Sequence, residues 1–276
     1  MALRREMLVR TKLQPSCLVL KCMPSLPIVF INLSKDEERR DRMTKQFAQM
    51  GLEASRLPAV WWTELSESEQ SRYFNSPHSH GRYHKPLSNG EKGCYCSHLK
   101  ACRTLLEGEA PAMVVFEDDV RLLPDLPQAL AAIEALPAGA AWDMIKLYGR
   151  EHEKIANQGP LGKSALQLIS YRRLPSFAAG YAISRSGAEK MLKTRIPFDR
   201  PVDVDLRFWF ENDLRIFGVH PSVIALDDTS EISSIWTQKE ASATMTQKLR
   251  KFRMKLALAW GNARAKTLQV SEVLKP

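Results

Sequence analysis

The chain has 276 residues, of which 44% are hydrophobic and 26% charged, with a net charge of +9, the proportions of a soluble globular enzyme. Residues 1–25 carry five Lys or Arg against one Glu, and residues 238–276 carry nine against two. The excess therefore sits at the ends, which argues against a nucleic-acid groove through the fold and for terminal segments that meet an anionic surface. Five cysteines without framework spacing suit a reducing compartment, and no window approaches the ~18 consecutive apolar residues of a membrane span.

Residues 1–25 form a basic N-terminal extension whose best apolar run, residues 17–20, is interrupted by Lys21. Without a convincing apolar core and cleavage site it does not read as a signal peptide, so a cytoplasmic protein is expected. Residues 28–33, IVFINL, have the continuous apolar pattern of a buried strand. Ser34 and the acids Asp36, Glu37 and Glu38 then start a helix. Its stripe of Met43, Phe47 and Met50 faces a core, and it stops at Gly51. A strand, turn and helix in this order open an α/β unit, and the strand end, Asn32 and Leu33, is a usual place for a nucleotide. Arg39 and Arg40 could reach a phosphate there, although one of them at least reads as a solvated helix face. A second strand is expected at residues 57–60, followed by a polar insertion from Trp61 to Lys85 with no regular period.

Residues 87–108 read as a helix with Cys94, His98 and Cys102 on one face. A zinc site built on these three fails, because at a rise of about 1.5 Å per residue the outer two stand roughly 12 Å apart. Ser97 and His98 remain candidate ligand contacts, because Asn89, Gly90 and Gly93 leave the preceding backbone open to approach. The next segment, PAMVVFEDDV, is the centre of the chain: a buried-strand run that ends in Glu117, Asp118 and Asp119. Ionised carboxylates without partners are too costly to bury, so the strand must deliver them to a cleft edge. A hard divalent cation, Mn or Mg, is their natural partner, with substrate phosphates completing its shell.

A helix at 126–136, a strand at 142–149, an edge strand at 166–171 and a strand at 177–184 follow. The small residues of the last, FAAGYAIS, are placed where a backbone or a sugar comes close. Ser186 opens another helix. Strands alternating with helices make the chain α/β with a mostly parallel central sheet. In PVDVDLRFWFEND, Asp203 and Asp205 share a face if extended and diverge if helical. Residues 214–226 supply the last strands. His220, at a strand end, reads as a structural histidine before a metal ligand.

Five segments, INLSKDEERRDRM, LSNGEKGCYCSH, VVFEDDV, AAGYAISRSGA and PVDVDL, resemble in identity and order glycosyltransferase family 25, the bacterial lipooligosaccharide galactosyltransferases and their collagen-modifying relatives. The resemblance covers roughly residues 27–230. It implies a GT-A-like nucleotide-sugar-binding domain over residues 26–236 and a UDP-sugar donor, usually UDP-galactose. Transfer would proceed with inversion to a saccharide acceptor of lipopolysaccharide or a related glycan. It carries the metal-binding acids over to Glu117, Asp118 and Asp119, with the ion at Asp119, and the later acidic motif to Asp203 and Asp205. Inversion needs a base opposite the leaving group, and either of those two aspartates qualifies. A metal-dependent phosphohydrolase would show a DxDxT-like nucleophile loop or histidine clusters, and neither is present. A catalytically inactive nucleotide-sugar-binding module of the same fold is the alternative.

The carboxyl segment, residues 237–276, is expected to form a basic amphipathic helical tail. Leu249, Phe252, Leu256, Ala259 and Ala263 recur at spacings of three and four, flanked by Lys248, Arg250, Lys251, Arg253 and Lys255. Such a helix suits an anionic membrane surface, here the inner face of the cytoplasmic membrane, beside a lipid-linked acceptor.

Overall fold

A computed structural model describes residues 26–74, 82–150, 152–227 and 244–275. The N-terminal extension and the boundary near Trp236 lie outside the described residues. Strand β1 (Ile28–Asn32) is buried along its whole length, as its unbroken apolar run requires when both sheet faces are covered. Helix α1 (Glu37–Gln49) buries Met43 and Phe47 and ends at Gly51, whose φ of 65° suits a residue without a Cβ. Strand β2 (Ser55–Pro58) begins two residues before the expected strand.

The insertion after β2 is partly regular: a 3₁₀ turn (Trp62–Glu64) leads to helix α2 (Glu67–Tyr73). Ser66 and Glu69 close a reciprocal capping box on α2. Helix α3 (Asn89–Glu107) begins with a second such box, between Ser88 and Glu91. Strands β3 (Ala112–Glu117) and β4 (Val120–Leu122) flank the acidic turn. Helix α4 (Leu126–Glu134) and strands β5 (Met144–Lys146), β6 (Ile155–Pro160), β7 (Gln167–Tyr171) and β8 (Gly180–Ser184) follow. Helix α5 (Arg185–Thr194) is capped by Ser184, two residues before the expected start. The motif after Pro201 is helix α6 (Val202–Asp205) running into a 3₁₀ segment (Leu206–Glu211). Strands β9 (Ile216–His220) and β10 (Ile224–Leu226) and helices α7 (Met245–Arg264) and α8 (Val270–Leu274) complete the described chain.

The eight-stranded sheet has the order β2-β1-β3-β8-β5-β9-β7-β6. It is mixed, not mostly parallel as expected. β1 pairs parallel with β2 and β3, and β5 with β9, whereas β8 runs antiparallel between β3 and β5, and β7 antiparallel to β9 and β6. An apolar run announces a buried strand in either direction, which is why the pattern did not reveal the two reversals. Strand β7 is covered by β6 and is therefore not the edge.

Alternate residues of the strands feed two cores. Phe30, Val114, Phe116 and Ala182 pack with α1 and α4, and Val29, Ile31, Val115 and Ile183 with α3 and α5. The buried Asp143 locks the second layer to the sheet by accepting from Arg215 Nη2 (2.8 Å), Lys190 Nζ (2.7 Å) and Ser186 Oγ (2.6 Å). Burial alone would raise its pKa, but these donors outweigh burial and hold the carboxyl well below the usual range. Strands β1, β3 and β5 point the same way, so Asn32, Glu117 and Lys146 end at one edge of the sheet.

Helix α7 packs a face of Met254, Leu258, Gly261 and Asn262 toward the 3₁₀ segment, where Trp209 Nε1 donates to Asn262 Oδ1 at 3.1 Å. Helix α8 places Val270 and Val273 in the first core. Among the described residues no helix is long and apolar enough to cross a membrane.

Candidate active site

The C-terminal ends of β1 and β3 open into a cleft of about 350 Å³, also walled by α3 and the turn after β2. Asn32, the last residue of β1, donates from Nδ2 to Asp118 Oδ2 at 2.7 Å. Arg39 Nη1 donates to the other carboxylate oxygen at 3.1 Å, and Arg42 Nη2 to the Asp118 carbonyl at 3.0 Å. Asn32 is itself held by Arg56, whose Nε donates to Asn32 Oδ1 at 3.0 Å. Burial raises the Asp118 pKa, and the donors from Asn32 and Arg39 oppose it. Asp118 thus clamps the acidic turn to β1 and α1.

Asp119 has a different setting. Its Oδ1 is buried with no hydrogen-bond partner among the described residues. Burial, followed by the neighbouring charges of Glu117 and Asp118, pushes its pKa up to about 7. A carboxylate oxygen left without a donor beside two further acids is a position that a cation stabilises.

Glu117 reaches across to α3. His98 Nε2 lies 3.2 Å from Glu117 Oε1, and Cys94 Sγ donates to the same oxygen at 3.7 Å. Cys94, His98 and Glu117 bring one ligand atom each within 4.8 Å of one another, a group able to hold a metal ion. Helical spacing ruled out Cys102 as a third member, and tertiary structure supplies Glu117 from β3 instead. His98 Nδ1 pairs with Tyr181 Oη at 2.8 Å, and burial pushes the Cys94 thiol well above its ordinary pKa.

Asn32, Leu33, Arg39, Ser97, His98, Glu117, Asp118 and Asp119 all line the cleft. Ser97 and His98 do so with their polar atoms already engaged: Ser97 Oγ accepts from Val60 N at 2.8 Å and donates to the Gly93 carbonyl at 2.7 Å. Arg40 does not line it and instead pairs with Glu37 and Asp41. Gly93 serves packing, since a Cβ there would stand 2.6 Å from the Val60 carbonyl oxygen. At Gly180 an added Cβ would meet Ile224 at 2.5 Å, so that small residue makes room for protein and not for a sugar.

The helical turn of α6 separates Asp203 from Asp205. Asp205 is buried among Tyr95 Oη, Arg200 Nη1 (3.0 Å) and Arg195 Nε (3.1 Å). Asp203 instead senses Glu117 and Lys146. Burial raises its pKa, while the Val204 backbone and Lys146 lower it. Lys146, at the end of β5, donates to the carbonyls of Pro175 and Phe177 at 2.8 Å each, and burial lowers its pKa to about 7. His220, on β9, is half-buried and lies in register with Gln167.

Sequence reasoning missed Arg42, Arg56, Cys94, Lys146 and the tryptophans of the cleft wall. Arg42 was within reach, since it stands one helical turn beyond Arg39. Arg56 and Lys146 were not, because their roles depend on which strands become neighbours.

The strand-end acids and the cleft at the edge of a mixed α/β sheet are consistent with a GT-A-type fold, and the family comparison agrees. A model of "Glycosyltransferase family 25 (LPS biosynthesis protein)" matches residues 25–206, so the chain belongs to glycosyltransferase family 25. It is similar to a "Glycosyltransferase 25 family member" of Drosophila melanogaster, 30% identical over 182 residues, which are 64% of this chain and 29% of the relative. It is also similar to procollagen galactosyltransferase 2 of mouse, 26% identical over 243 residues (76% of this chain, 38% of the relative), and of human, 25% over 271 residues (83% and 42%). The chain thus spans less than half the length of these relatives.

Proposed function

We propose that the protein is an inverting galactosyltransferase that uses a UDP-sugar, most simply UDP-galactose, with Mn or Mg, and a saccharide of lipopolysaccharide or a related glycan as acceptor. The observation that carries this reading is Asp119: a buried carboxylate oxygen without a donor, beside Glu117 and Asp118, in a cleft that also holds the Arg39 guanidinium. Glu117 and Asp119 would hold the ion. A hard cation favours their oxygens over the Cys94 sulfur, whose thiol burial keeps protonated. Bound there, the ion would neutralise the developing diphosphate charge.

The chain's own residues supply the rest. Arg39 offsets diphosphate charge while it steadies Asp118, and Trp61, 40% exposed at the cleft wall, offers a ring face to the nucleoside base. Asp203 is the base. The acceptor hydroxyl oxygen attacks the anomeric carbon as the bond to the diphosphate breaks. Asp203 takes the hydroxyl proton, and UDP leaves. A pKa raised by burial brings Asp203 toward the working pH, where a base is most effective. Asp205, committed to two arginines, positions α6.

Helix α7 supports a location for this chemistry. Met245, Leu249, Phe252, Leu256 and Trp260 form a stripe on its outer side, each between 53% and 81% exposed. Lys248, Arg250, Lys251, Arg253 and Lys255 flank it. We place this face on an anionic lipid surface at the cytoplasmic side of the membrane, where it brings the cleft to a lipid-linked acceptor.

The test is incubation of the full chain with a panel of UDP-sugars, with and without Mn, read as UDP release. Release confined to UDP-galactose and abolished by chelation supports the reading. UDP binding without release under any condition would make the protein the inactive module.

A further inference from the structure

A second pocket, of about 290 Å³, opens at the same sheet edge, beyond the end of β5. Arg150, Lys154, Arg173 and Arg207 line it, with Glu153 as its one acid among the described residues. Glu153 Oε1 accepts from the Arg150 backbone N–H at 2.7 Å, and the four basic side chains outnumber this acid. Arg207 Nε is buried and has no hydrogen-bond partner among the described residues. Burial lowers the Arg207 pKa, and Arg173 and Arg150 add like-charge repulsion. Cations gathered against their mutual repulsion, one with a buried unused donor, are a site for an anion.

The position of the pocket says which molecule carries that anion. Arg207 stands four residues beyond Asp203 and feels its charge. The pocket wall at Pro175 and Ser176 is the loop whose carbonyls Lys146 holds. None of its lining residues belongs to the cleft at Asp119. We propose that Arg150, Lys154, Arg173 and Arg207 form a subsite for an anionic group, a phosphomonoester or a carboxylate, on the acceptor saccharide. This rests on the assignment of Asp203 as the base, which puts the acceptor on this side of the edge. The subsite would draw charged saccharides over neutral ones and orient them by their anionic group.

The experiment is calorimetric titration of the full chain, with UDP and Mn present, by glucose 6-phosphate, glucuronate and glucose. The anionic sugars should bind roughly tenfold or more tightly than glucose while UDP stays bound, since a charge-assisted hydrogen bond is worth about that much. Whichever anionic sugar binds better identifies the group as phosphate or carboxylate. Arg173→Gln and Arg207→Gln should each remove most of the preference and leave UDP affinity unchanged. Binding of both glucose 6-phosphate and glucuronate no tighter than that of glucose, or displacement of UDP by them, would overturn the proposal. A separate titration with UDP and Mn alone keeps the two readings apart. Its failure would sink the donor assignment, while the contrast between charged and neutral sugars would still report on the basic pocket.

Discussion

Asn32 Nδ2 and Asp118 Oδ2 meet at 2.7 Å although 86 positions separate them in the chain. The bond joins the end of β1 to the acidic turn after β3, where Asp119 Oδ1 is buried without a hydrogen-bond partner among the described residues. Loss of a group that orients a ligating cluster commonly costs 10–100-fold in metal affinity or activity. Asn32→Ala should therefore raise the Mn concentration needed for half-maximal UDP release by about that factor, with the helical circular-dichroism signal unchanged. An unaltered Mn requirement would show that the bond is ornamental to the site.

Asp119→Asn should abolish transfer and yet stabilise the metal-free protein. The folded-state pKa of Asp119 is raised to about 7 from 3.8, so folding favours the protonated form. Stability associated with that proton is complete below the unfolded value and is lost as pH rises toward 7. In chelator, the stability advantage of the variant over the native chain should grow between about pH 4 and pH 7 and then level off. Added Mn should close much of that gap, because saturation at 100 times Kd stabilises the native chain by about 2.7 kcal/mol and leaves the variant unmoved. Thermal melts across this pH range read both effects. A variant that melts below the native chain in chelator contradicts the argument.

The two aspartates of α6 should fail differently. Asp203→Asn removes a proton acceptor that acts only in the transition state, so kcat should fall about 10²–10⁴-fold with UDP affinity retained. Asp205→Asn removes one of the two carboxylates shared by the buried Arg195 and Arg200, which keep Glu211. It should cost about 1.5–3 kcal/mol in urea unfolding, the typical worth of a hydrogen bond to a charged group, because Glu211 still balances the arginines. Retained turnover in Asp203→Asn would move the base elsewhere.

The outer stripe of α7 should bind vesicles of anionic lipid at low salt and ignore zwitterionic ones. Each basic residue near the surface contributes about 1 kcal/mol, so Lys248→Glu, Lys251→Glu and Lys255→Glu together should release the protein while leaving its melting temperature within a degree or two of native. Removal of residues 265–276 is a different matter. It strips Val270 and Val273 from the core, and losses of about 1 kcal/mol or more per buried side chain should lower the melting temperature by several degrees. Equal sedimentation of the triple variant and the native chain would end the membrane reading.

The amino-acid pattern by itself determined the local elements and their chemistry. The unbroken apolar runs of β1 and β3 and the 3.6-residue stripes of α1 and the outer face of α7 are patterns that any sequence displays openly. The acids at 117–119 announced a strand end because unpaired charge cannot continue into a core. The capping pair Ser66 and Glu69 stood equally open in a stretch read as having no regular period, and it caps the helix found there. What only tertiary structure decided was neighbourhood and direction. The reversed strands β7 and β8, the meeting of Glu117 with Cys94 and His98, and the split between an Asp203 that feels Glu117 and Lys146 and an Asp205 held by arginines all depend on pairings between distant segments. The end of the carboxyl segment shows the same limit. Val270 and Val273 carry no mark that separates a residue of a peripheral tail from one of the core, because burial belongs to the partner surface as much as to the side chain.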